Sequence, residues 1–357
     1  MEGDRHRRFA KPPAPSTTLR AVPLPVPGRI GFLWRYAYSP RMERLTSDVP
    51  VPAALRNAVV ALGNFDGFHR GHQAVVGRAR EIARAEGRPL IVATFSPHPS
   101  RIFHPEAPFF RLTTIDQRAR LFAAAGADAM LVFNFDRALA AVSADDFVTE
   151  WLIGRVGAAV AVTGEDFTFG AQRSGNVKLL KEVGKAGGLR TEAVGPVSDA
   201  DGPVSSSRIR EALQNGDCET ATRLLSRPFA IEGVVQHGDK LGRSIGFPTA
   251  NIPFDRYLRP AFGIYAVRGH LADGRIVDGA ANLGLRPTFD PPKELFEPHF
   301  FDFSGDLYGQ TIEVDLIHFI RPEAKYDTLD ALTAQIAADC AEAKRVLALN
   351  PLTSPRT

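Results

Sequence analysis

The stretch Gly63-Asn64-Phe65-Asp66-Gly67-Phe68-His69-Arg70-Gly71-His72-Gln73-Ala74 decides the fold of the first half of this chain. An apolar run over residues 58–62 precedes the stretch and predicts a buried strand. An amphipathic pattern over residues 75–83 follows it and predicts a helix. His69 and His72 are therefore expected at the point where a strand leads into a helix.

This strand-to-helix connection has the chemistry of an anion-binding site. Glycines let the backbone approach a ligand closely, and a helix N-terminus offers free N–H groups and the positive end of the helix dipole. Imidazoles beside such a site can donate hydrogen bonds to phosphate oxygens and to charge that develops in a transition state. The stretch therefore predicts a site for a nucleoside triphosphate.

Strand-like and helix-like segments alternate from about residue 56 to 226, which predicts an α/β domain with a parallel sheet covered on both faces. Ligands bind such sheets at the carboxyl ends of the strands, where the histidine stretch lies. Residues 114–117 and 143–146 have the sequence of helix starts with reciprocal caps. The predicted strands are 59–63, 89–95, 129–133, 158–163 and 190–194.

After residue 226, short strand-like segments separated by turn signals predict a six-stranded antiparallel β-barrel. The predicted strands are 229–236, 247–252, 263–269, 276–282, 295–303 and 311–319. A terminal helix is predicted over residues 328–349. Its buried face is expected to carry Leu329, Leu332, Ile336, Cys340 and Ala343.

Length and composition favour a two-domain globular protein. The chain has 357 residues, of which 44% are hydrophobic and 23% are charged. No apolar run approaches the ~20 residues that a membrane span needs, so no membrane partner is expected. The two cysteines, Cys218 and Cys340, suit a reducing compartment, and a cytoplasmic location is predicted.

The net charge of +3 has its source in the N-terminal segment. Residues 1–41 carry seven Arg and one Lys against two acidic residues, so the rest of the chain has a net charge of −3. A mildly acidic body gives no reason to expect a nucleic-acid partner. We expect residues 1–45 to be a disordered extension, or to precede a true start at Met42; an organelle transit peptide is the alternative.

Further segments of the first half fall at the same predicted sheet edge. The loop over residues 164–175 and the hydroxyl-rich helix start over residues 205–210 could both bind nucleotide. Their structural alternatives are a solvated loop and an ordinary N-cap. The second strand ends in residues 94–99, where Phe95 could pack on a flat ring and His98 is more simply a structural hydrogen-bonding residue.

In the second half, residues 238–251 are the informative stretch. They do not form a P-loop, because no Gly-Lys-Ser/Thr follows at the required spacing, but their backbone could still wrap phosphates. Thr249 and Asn251 lie two residues apart on a predicted strand and supply oxygens suited to Mg²⁺. A flexible loop before an edge strand explains the pattern equally well. Glu297, on an otherwise apolar strand, is either paired or a general base for an alcohol.

Taken in order, the segments 63–73, 94–99, 164–175, 205–210, 238–251, 282–288 and 302–309 resemble the bifunctional riboflavin kinase/FAD synthetase family of bacteria. The resemblance covers about residues 56–346. It implies a Rossmann-like FMN adenylyltransferase domain over residues 46–226, a riboflavin kinase barrel over residues 227–351 and a tail over residues 352–357. The barrel would make FMN from riboflavin and ATP, and the first domain would transfer AMP from a second ATP to FMN, giving FAD and pyrophosphate.

The resemblance also implies residue roles. His69 and His72 would bind the triphosphate, Glu297 would take the proton of the ribityl 5′-hydroxyl, and Thr249 and Asn251 would hold Mg²⁺ with ATP. Its partners would be these small molecules alone, with at most a weak homo-oligomer. The implied nucleotide- and flavin-binding residues are Gly63, Asn64, Phe65, Asp66, Gly71, Phe95, Asp166, Phe167, Arg173, Ser206, Ser207, Arg208, Gly238, Lys240, Gly242, Arg243, Gly246, Asn282 and Arg286.

Four other interpretations remain open at this point. One half could be catalytic and the other a degenerate binding domain. A nucleotidyltransferase with another acceptor, such as phosphopantetheine or glycerol phosphate, is disfavoured by the second domain. A class I aminoacyl-tRNA synthetase would share the His-x-Gly-His signature, but the sequence has no matching Lys-Met-Ser-Lys-Ser loop. A flavin-binding regulator without catalysis would leave Glu297 and the histidines without a task.

Overall fold

The structure is a computed structural model that describes residues 42–108, 110–238, 241–254, 256–286 and 293–351, without the side chains of residues 241, 244, 286 and 293. Several predictions lie outside the described residues. They are the nature of residues 1–41 and 352–357, the role of Lys240, the role of the Arg286 side chain, and residues 287–288 of the family segment.

The first domain is built on a parallel sheet, as predicted. Its five predicted strands are present to within one residue at each end. The strands of this half are β1 Glu43–Thr46, β2 Ala58–Leu62, β3 Leu90–Ser96, β4 Ala129–Asn134, β5 Ala158–Gly164, β6 Thr168–Phe169, β7 Gly175–Asn176, β8 Arg190–Val194, β9 Ser198–Asp199 and β10 Gly202–Pro203. The sheet order is β1-β4-β3-β2-β5-β8, and β6-β7 and β9-β10 form two small hairpins.

Strand β1 is the element of this sheet that the sequence did not predict. It lies at the sheet edge, parallel to β4, and of its four residues only Leu45 is buried. A four-residue segment with a single apolar residue shows no recognisable alternation of apolar and polar residues. Its strand conformation therefore depends on pairing with the neighbouring strand. Strand β1 thus adds Glu43–Thr46 to the sheet of the first domain.

Helices cover the sheet and end at recognisable caps. Helix α1 follows β2, buries five apolar side chains and ends at Gly87 in the left-handed conformation (φ 62°). The predicted capping box at Thr114 and Gln117 is present, and Ser143 caps the next predicted helix start. The helices are α1 Arg70–Glu86, α2 Pro99–Phe103, α3 Ile115–Ala124, α4 Arg137–Ala140, α5 Ala144–Asp146 continued by a π-helix Phe147–Val156, α6 Val177–Ala186, α7 Ser206–Gln214, α8 Cys218–Leu225, α9 Leu241–Ser244 and α10 Leu329–Leu349, with 3₁₀ turns at Ala53–Leu55 and Ala171–Arg173.

The second domain is the predicted six-stranded antiparallel barrel with a terminal helix. Its strands are β11 Phe229–Val234, β12 Ile252–Pro253, β13 Gly263–His270, β14 Ile276–Arg286, β15 Lys293–Phe300 and β16 Thr311–Pro322. They are ordered β11-β16-β13-β14-β15-β12. A bridge between Gln236 and Asn251 brings the two edge strands together, so the barrel is nearly closed.

Two details of the barrel differ from the prediction. Of the predicted strand 247–252, only Ile252 lies in a strand (β12), and Asn251 before it forms an isolated bridge with Gln236. Pro248 has no N–H to donate to a neighbouring strand. The predicted buried face of α10 is wrong at Leu329, which is 55% exposed. The barrel instead contacts the later turns of α10, where Asp339 is buried by a bidentate ion pair with Arg321 (2.8 and 2.6 Å).

The two domains share one hydrophobic cluster, in which α7 and α8 pack against the barrel. Helix α3 adds polar contacts to this interface. The buried Gln117 amide donates to the carbonyl of Ala230 (3.1 Å), and the Arg120 guanidinium pairs with Glu232 and Glu313. The domains are thus joined by a packed interface as well as by the chain. Among the described residues, no helix has the length and apolar character that crossing a bilayer requires.

Candidate active sites

Asp66 is the buried centre of the signature loop, as we call residues 63–72 between β2 and α1. Its carboxylate accepts the N–H groups of Leu112 and Thr113 (both 3.0 Å) and an Nη2–H of Arg210 (2.9 Å), and Arg118 lies 3.5 Å away. Burial opposes ionisation most strongly, but the two guanidinium groups and the two amides outweigh it and lower the pKa of Asp66. Asp66 therefore fixes the shape of the loop.

Asp66→Asn is expected to lower the free energy of unfolding by about 3–5 kcal/mol, because the buried Arg118 and the partly buried Arg210 guanidinium groups would lose their carboxylate. Since the folded-state pKa lies below the unfolded value, this stabilisation is present above about pH 4 and is lost as the pH falls through the folded-state pKa. Urea unfolding measures the difference. Asp116→Asn, which breaks an exposed pair with Arg44 (2.5 Å), is the matched control and should cost about 0–1 kcal/mol. Equal losses for the two variants would contradict the assignment.

The histidine pair lies at the N-terminus of α1. Nδ1 of His69 accepts the N–H of His72 (3.4 Å), and the two rings stack with centroids 3.6 Å apart. Because Nδ1 of His69 is an acceptor, its proton is on Nε2, which is left as a donor. Nδ1 of His72 is buried and has no hydrogen-bond partner among the described residues.

Both imidazoles are neutral at pH 7. Burial lowers the pKa of His69 to about 4; Asp66 opposes this effect, and Arg227 and Arg210 add to it. Burial likewise places the pKa of His72 well below its usual value, with further lowering by His69 and by nearby arginines including Arg118. Neutral N–H donors within the field of three guanidinium groups suit a polyphosphate better than a cation or an apolar ligand.

The rest of the signature loop leaves a second polar group without a partner. Oδ1 of Asn64 is buried and makes no hydrogen bond within the described part of the chain. Phe65 is 1% exposed and meets the edge of His72, with Gly63 beside its ring and Gly71 beside the His69 ring. A buried polar atom without a partner is costly, so the Asn64 amide and the His72 imidazole mark where ligand atoms would bind.

Two predicted site residues make structural contacts within the first domain. Phe95 is 7% exposed and stacks on Phe133 (5.2 Å), and its contact with a flat ligand stays a prediction. The Arg208 guanidinium pairs with Asp199 (3.0 and 3.3 Å) and donates to backbone carbonyls. Arg210, two residues later on another side of α7, is the arginine of this helix that contacts the signature loop.

The remaining predictions for this domain lie at the same sheet edge. Ser206 donates to a backbone carbonyl of the signature loop (3.0 Å), and Ser207 beside it is exposed. The loop after β5 lies near the signature loop, because β5 neighbours β2 in the sheet. The contacts of its predicted residues stay within the loop. Asp166 is exposed, Phe167 stacks on another ring of the loop, and Arg173 donates to a threonine hydroxyl of the loop.

Sequence reasoning missed the arginines that converge on the signature loop. Arg118 comes from α3, Arg210 from α7 and Arg227 from the domain junction, and each resembles an ordinary surface residue in the sequence. His98 caps α2 and contacts Ser100 (2.8 Å), which agrees with the structural interpretation. A cleft beside the loop is lined by Asp66, Pro97, His98, Arg101, Phe110, Arg111 and Arg118.

In the barrel, three predicted residues lie side by side on one face. Glu297 is the register partner of Asn282, and Ile252 is that of Phe296, which places Asn251 level with Glu297. Ile252 and Phe296 are fully buried in the barrel core, so the residues next to them point to the opposite, outer face. Oδ1 of Asn282 is buried there and has no partner among the described residues.

The loop before β12 packs against this outer face. A Cβ at Gly238 would lie 2.5 Å from Nδ2 of Asn251, so only glycine allows that approach. Thr249 precedes Asn251 by two residues in an extended loop, and its hydroxyl faces Gly242. Two further predicted residues of this loop are exposed: Arg243 and Gly246.

Two observations bear on the expected Mg²⁺ and on an additional carboxylate. Among the described residues, no cluster of His, Cys, Asp and Glu could hold a metal by itself. Mg²⁺ is usually bound by one or two carboxylates plus substrate phosphates, whereas Thr249 and Asn251 offer a hydroxyl and an amide oxygen, so their role as Mg²⁺ ligands stays a prediction. Glu323 lies beside Gly284 on β14, two residues from Asn282, because a Cβ at Gly284 would overlap its carboxylate.

Comparisons with known proteins agree with this division into two sites. Family models match residues 51–208 as FAD synthetase and residues 225–347 as riboflavin kinase. The bifunctional riboflavin kinase/FMN adenylyltransferase of Escherichia coli K12 is 38% identical over 80% of this chain and 92% of its own length. The bifunctional riboflavin kinase/FMN adenylyltransferase of Bacillus subtilis 168 is 39% identical over 81% of this chain and 92% of its own length. A solved structure described as a macrolide-efflux protein of Streptococcus pneumoniae shares 32% identity and a TM-score of 0.76, covering 85% of this chain and 99% of its own.

Proposed function

The chain belongs to the bifunctional riboflavin kinase/FMN adenylyltransferase family, and we propose that each activity resides in its own domain. The barrel phosphorylates riboflavin with ATP to give FMN. The first domain transfers AMP from a second ATP to FMN and gives FAD. One observation carries this assignment: each domain has a separate polar site with a buried side-chain atom that lacks a partner among the described residues.

In the first domain, we propose that the FMN phosphate attacks the α-phosphorus of ATP and that pyrophosphate leaves. The attacking phosphate is already anionic at pH 7, so no general base is needed. Nε2–H of His69 and the free N–H groups of α1 are the donors to the triphosphate, and His72 completes the pair. Positioning and charge stabilisation supply the rate enhancement.

In the barrel, Glu297 is the proposed general base. Its carboxylate takes the proton of the ribityl 5′-hydroxyl as the oxygen attacks the γ-phosphorus of ATP, and ADP leaves. Asn282, its register partner, orients the flavin chain through its amide oxygen, which has no partner among the described residues. Thr249 and Asn251 are the proposed Mg²⁺ ligands, and the ion would neutralise the charge of the ATP phosphates.

The proposal extends to the setting of the protein. We expect small-molecule substrates alone, without a nucleic-acid partner and with at most weak self-association, because the chain after residue 41 has a net charge of −3. A cytoplasmic location fits the free thiols of Cys218 and Cys340.

Incubation of the purified protein with riboflavin, ATP and Mg²⁺, followed by chromatographic separation of the flavins, tests the function. FMN should appear first and FAD second, and EDTA should stop both steps. FMN that accumulates without FAD would instead support a monofunctional kinase. A failure to convert either riboflavin or supplied FMN would support a binding protein.

A further inference from the structure

Arg227 is the residue of interest beyond the sites described above. It follows α8 and lies within residues 225–347, the part that matches riboflavin kinase, and outside the part that matches FAD synthetase. Its guanidinium nevertheless contacts the signature loop of the other domain. Nη2 donates to the carbonyl of Gly67 (2.7 Å), and Nη1 donates to the carbonyls of Phe68 (3.4 Å) and Leu225 (3.2 Å).

The carbonyls that Arg227 binds come directly before His69 in the chain. Gly67 and Phe68 both have positive φ (81° and 43°), and for a phenylalanine that conformation is strained. The Gln73 amide supports the same connection, because it donates to the carbonyls of both Phe68 (2.9 Å) and Leu225 (3.0 Å). The orientation of the His69 backbone thus depends on contacts with the domain junction.

Arg227 is itself held by the barrel. Two residues later the chain enters β11 at Phe229, which is 2% exposed in the cluster shared by the two domains. The next residue, Ala230, accepts a hydrogen bond from Gln117 of α3. The backbone of Arg227 is therefore anchored at the start of the barrel, whereas its guanidinium reaches into the adenylyltransferase side.

We infer that Arg227, a residue of the kinase half, is a positioning residue of the adenylyltransferase site. By holding the carbonyls of Gly67 and Phe68, it keeps His69 in place as the cap of α1, with Nε2–H free for the ATP phosphates. The inference rests on the proposed function of the first domain. Burial is the main cause of the low pKa of both histidines, and the positive charges of Arg227 and Arg210 lower both pKa values further.

Arg227→Met in the full chain tests the inference. We expect kcat/KM for FAD formation from supplied FMN to fall about 10- to 100-fold, because small displacements of catalytic groups have effects of that size. FMN formation from riboflavin in the same preparation should remain at the wild-type rate, which also reports that the barrel is folded. Arg227→Lys keeps the charge and one donor, and should recover most of the lost activity.

The pH profile separates positioning from a general loss of structure. Removing the positive charge at position 227 raises the pKa of His69, so the acid limb of FAD formation should move to higher pH in Arg227→Met and Arg227→Gln. It should stay in place in Arg227→Lys. Arg223→Met is the control, because that exposed arginine of α8 pairs with Asp199 and Asp201 at the surface. It should leave both activities and the pH profile unchanged.

Wild-type FAD formation in Arg227→Met would overturn the inference while leaving the proposed function intact. An equal fall of both activities with a lower melting temperature, in both the Met and the Gln variant, would show that Arg227 is only structural. If the wild-type protein itself forms no FAD, the proposed function of the first domain is refuted and the inference is refuted with it.

Discussion

Glu297→Gln is expected to lower FMN formation from riboflavin by about 10²–10⁴-fold, the usual contribution of a positioned general base. The amide is nearly isosteric with the carboxylate but cannot take the proton of the 5′-hydroxyl. The register contacts of Glu297 with Asn282 should survive, because they depend on the β14–β15 pairing. Adenylylation of supplied FMN should be unchanged, and chromatography of flavins from each half-reaction measures both rates.

The matched control for this prediction lies on the same strand. Glu294 also belongs to β15, but it pairs with Arg259 and lies away from Asn251 and Asn282. Glu294→Gln should therefore retain FMN formation within a few-fold of the wild type. If Glu297→Gln formed FMN at the wild-type rate, Glu297 would not be the general base. A simultaneous loss of both activities would contradict the separation of the sites.

His72→Ala is expected to lower FAD formation by about 10²–10³-fold, as the loss of one transition-state donor typically does. The variant also removes the ring that stacks on His69 and meets Phe65, so nucleotide binding should weaken as well. FMN formation should continue at the wild-type rate, since the barrel site does not use this residue. Single-turnover conversion of supplied FMN separates the chemical step from binding.

His318 offers a control histidine for this prediction. It lies on β16, is 38% exposed and pairs with Glu219, away from both sites. His318→Ala should leave both half-reactions close to wild type. If His72→Ala retained FAD formation, the histidine pair would have only a capping role at the start of α1.

The elements that the sequence predicted well are those with a strong local pattern. The apolar run before the signature loop and the amphipathic pattern after it specify β2 and α1, and the capping box at Thr114 specifies the start of α3. Strand β1 was missed and strand 247–252 was overestimated, because edge strands depend on what their neighbours offer.

The site was harder to predict, because its supporting residues are distant in the sequence. Arg118 and Arg210 reach Asp66 from helices that begin 49 and 140 residues later in the chain, and no local pattern connects them. The packing of Phe95 could not be predicted for the same reason, because it depends on Phe133 in the next strand. The sequence predicted which residue types form the site and at which sheet edge they lie. The contact partners of each side chain could be identified only from the three-dimensional structure.

The interface also bears on why both activities occur in one chain. The barrel supplies FMN, which is the substrate of the first domain, and the two domains share a hydrophobic cluster. Helix α3 contacts the barrel through Gln117 and Arg120 and the signature loop through Arg118. The kinase half therefore supports the adenylyltransferase half structurally as well as chemically.

Mixing two single variants tests the division of labour most directly. Glu297→Gln and His72→Ala are each incubated with riboflavin, ATP and Mg²⁺, separately and together, and the flavins are separated by chromatography. We expect at most the residual FMN formation stated above from the first variant, mainly FMN from the second, and FAD from the mixture, because FMN released by one chain serves the other. Wild-type FMN formation by the Glu297 variant, wild-type FAD formation by the His72 variant, or a mixture that stops at FMN would contradict the account.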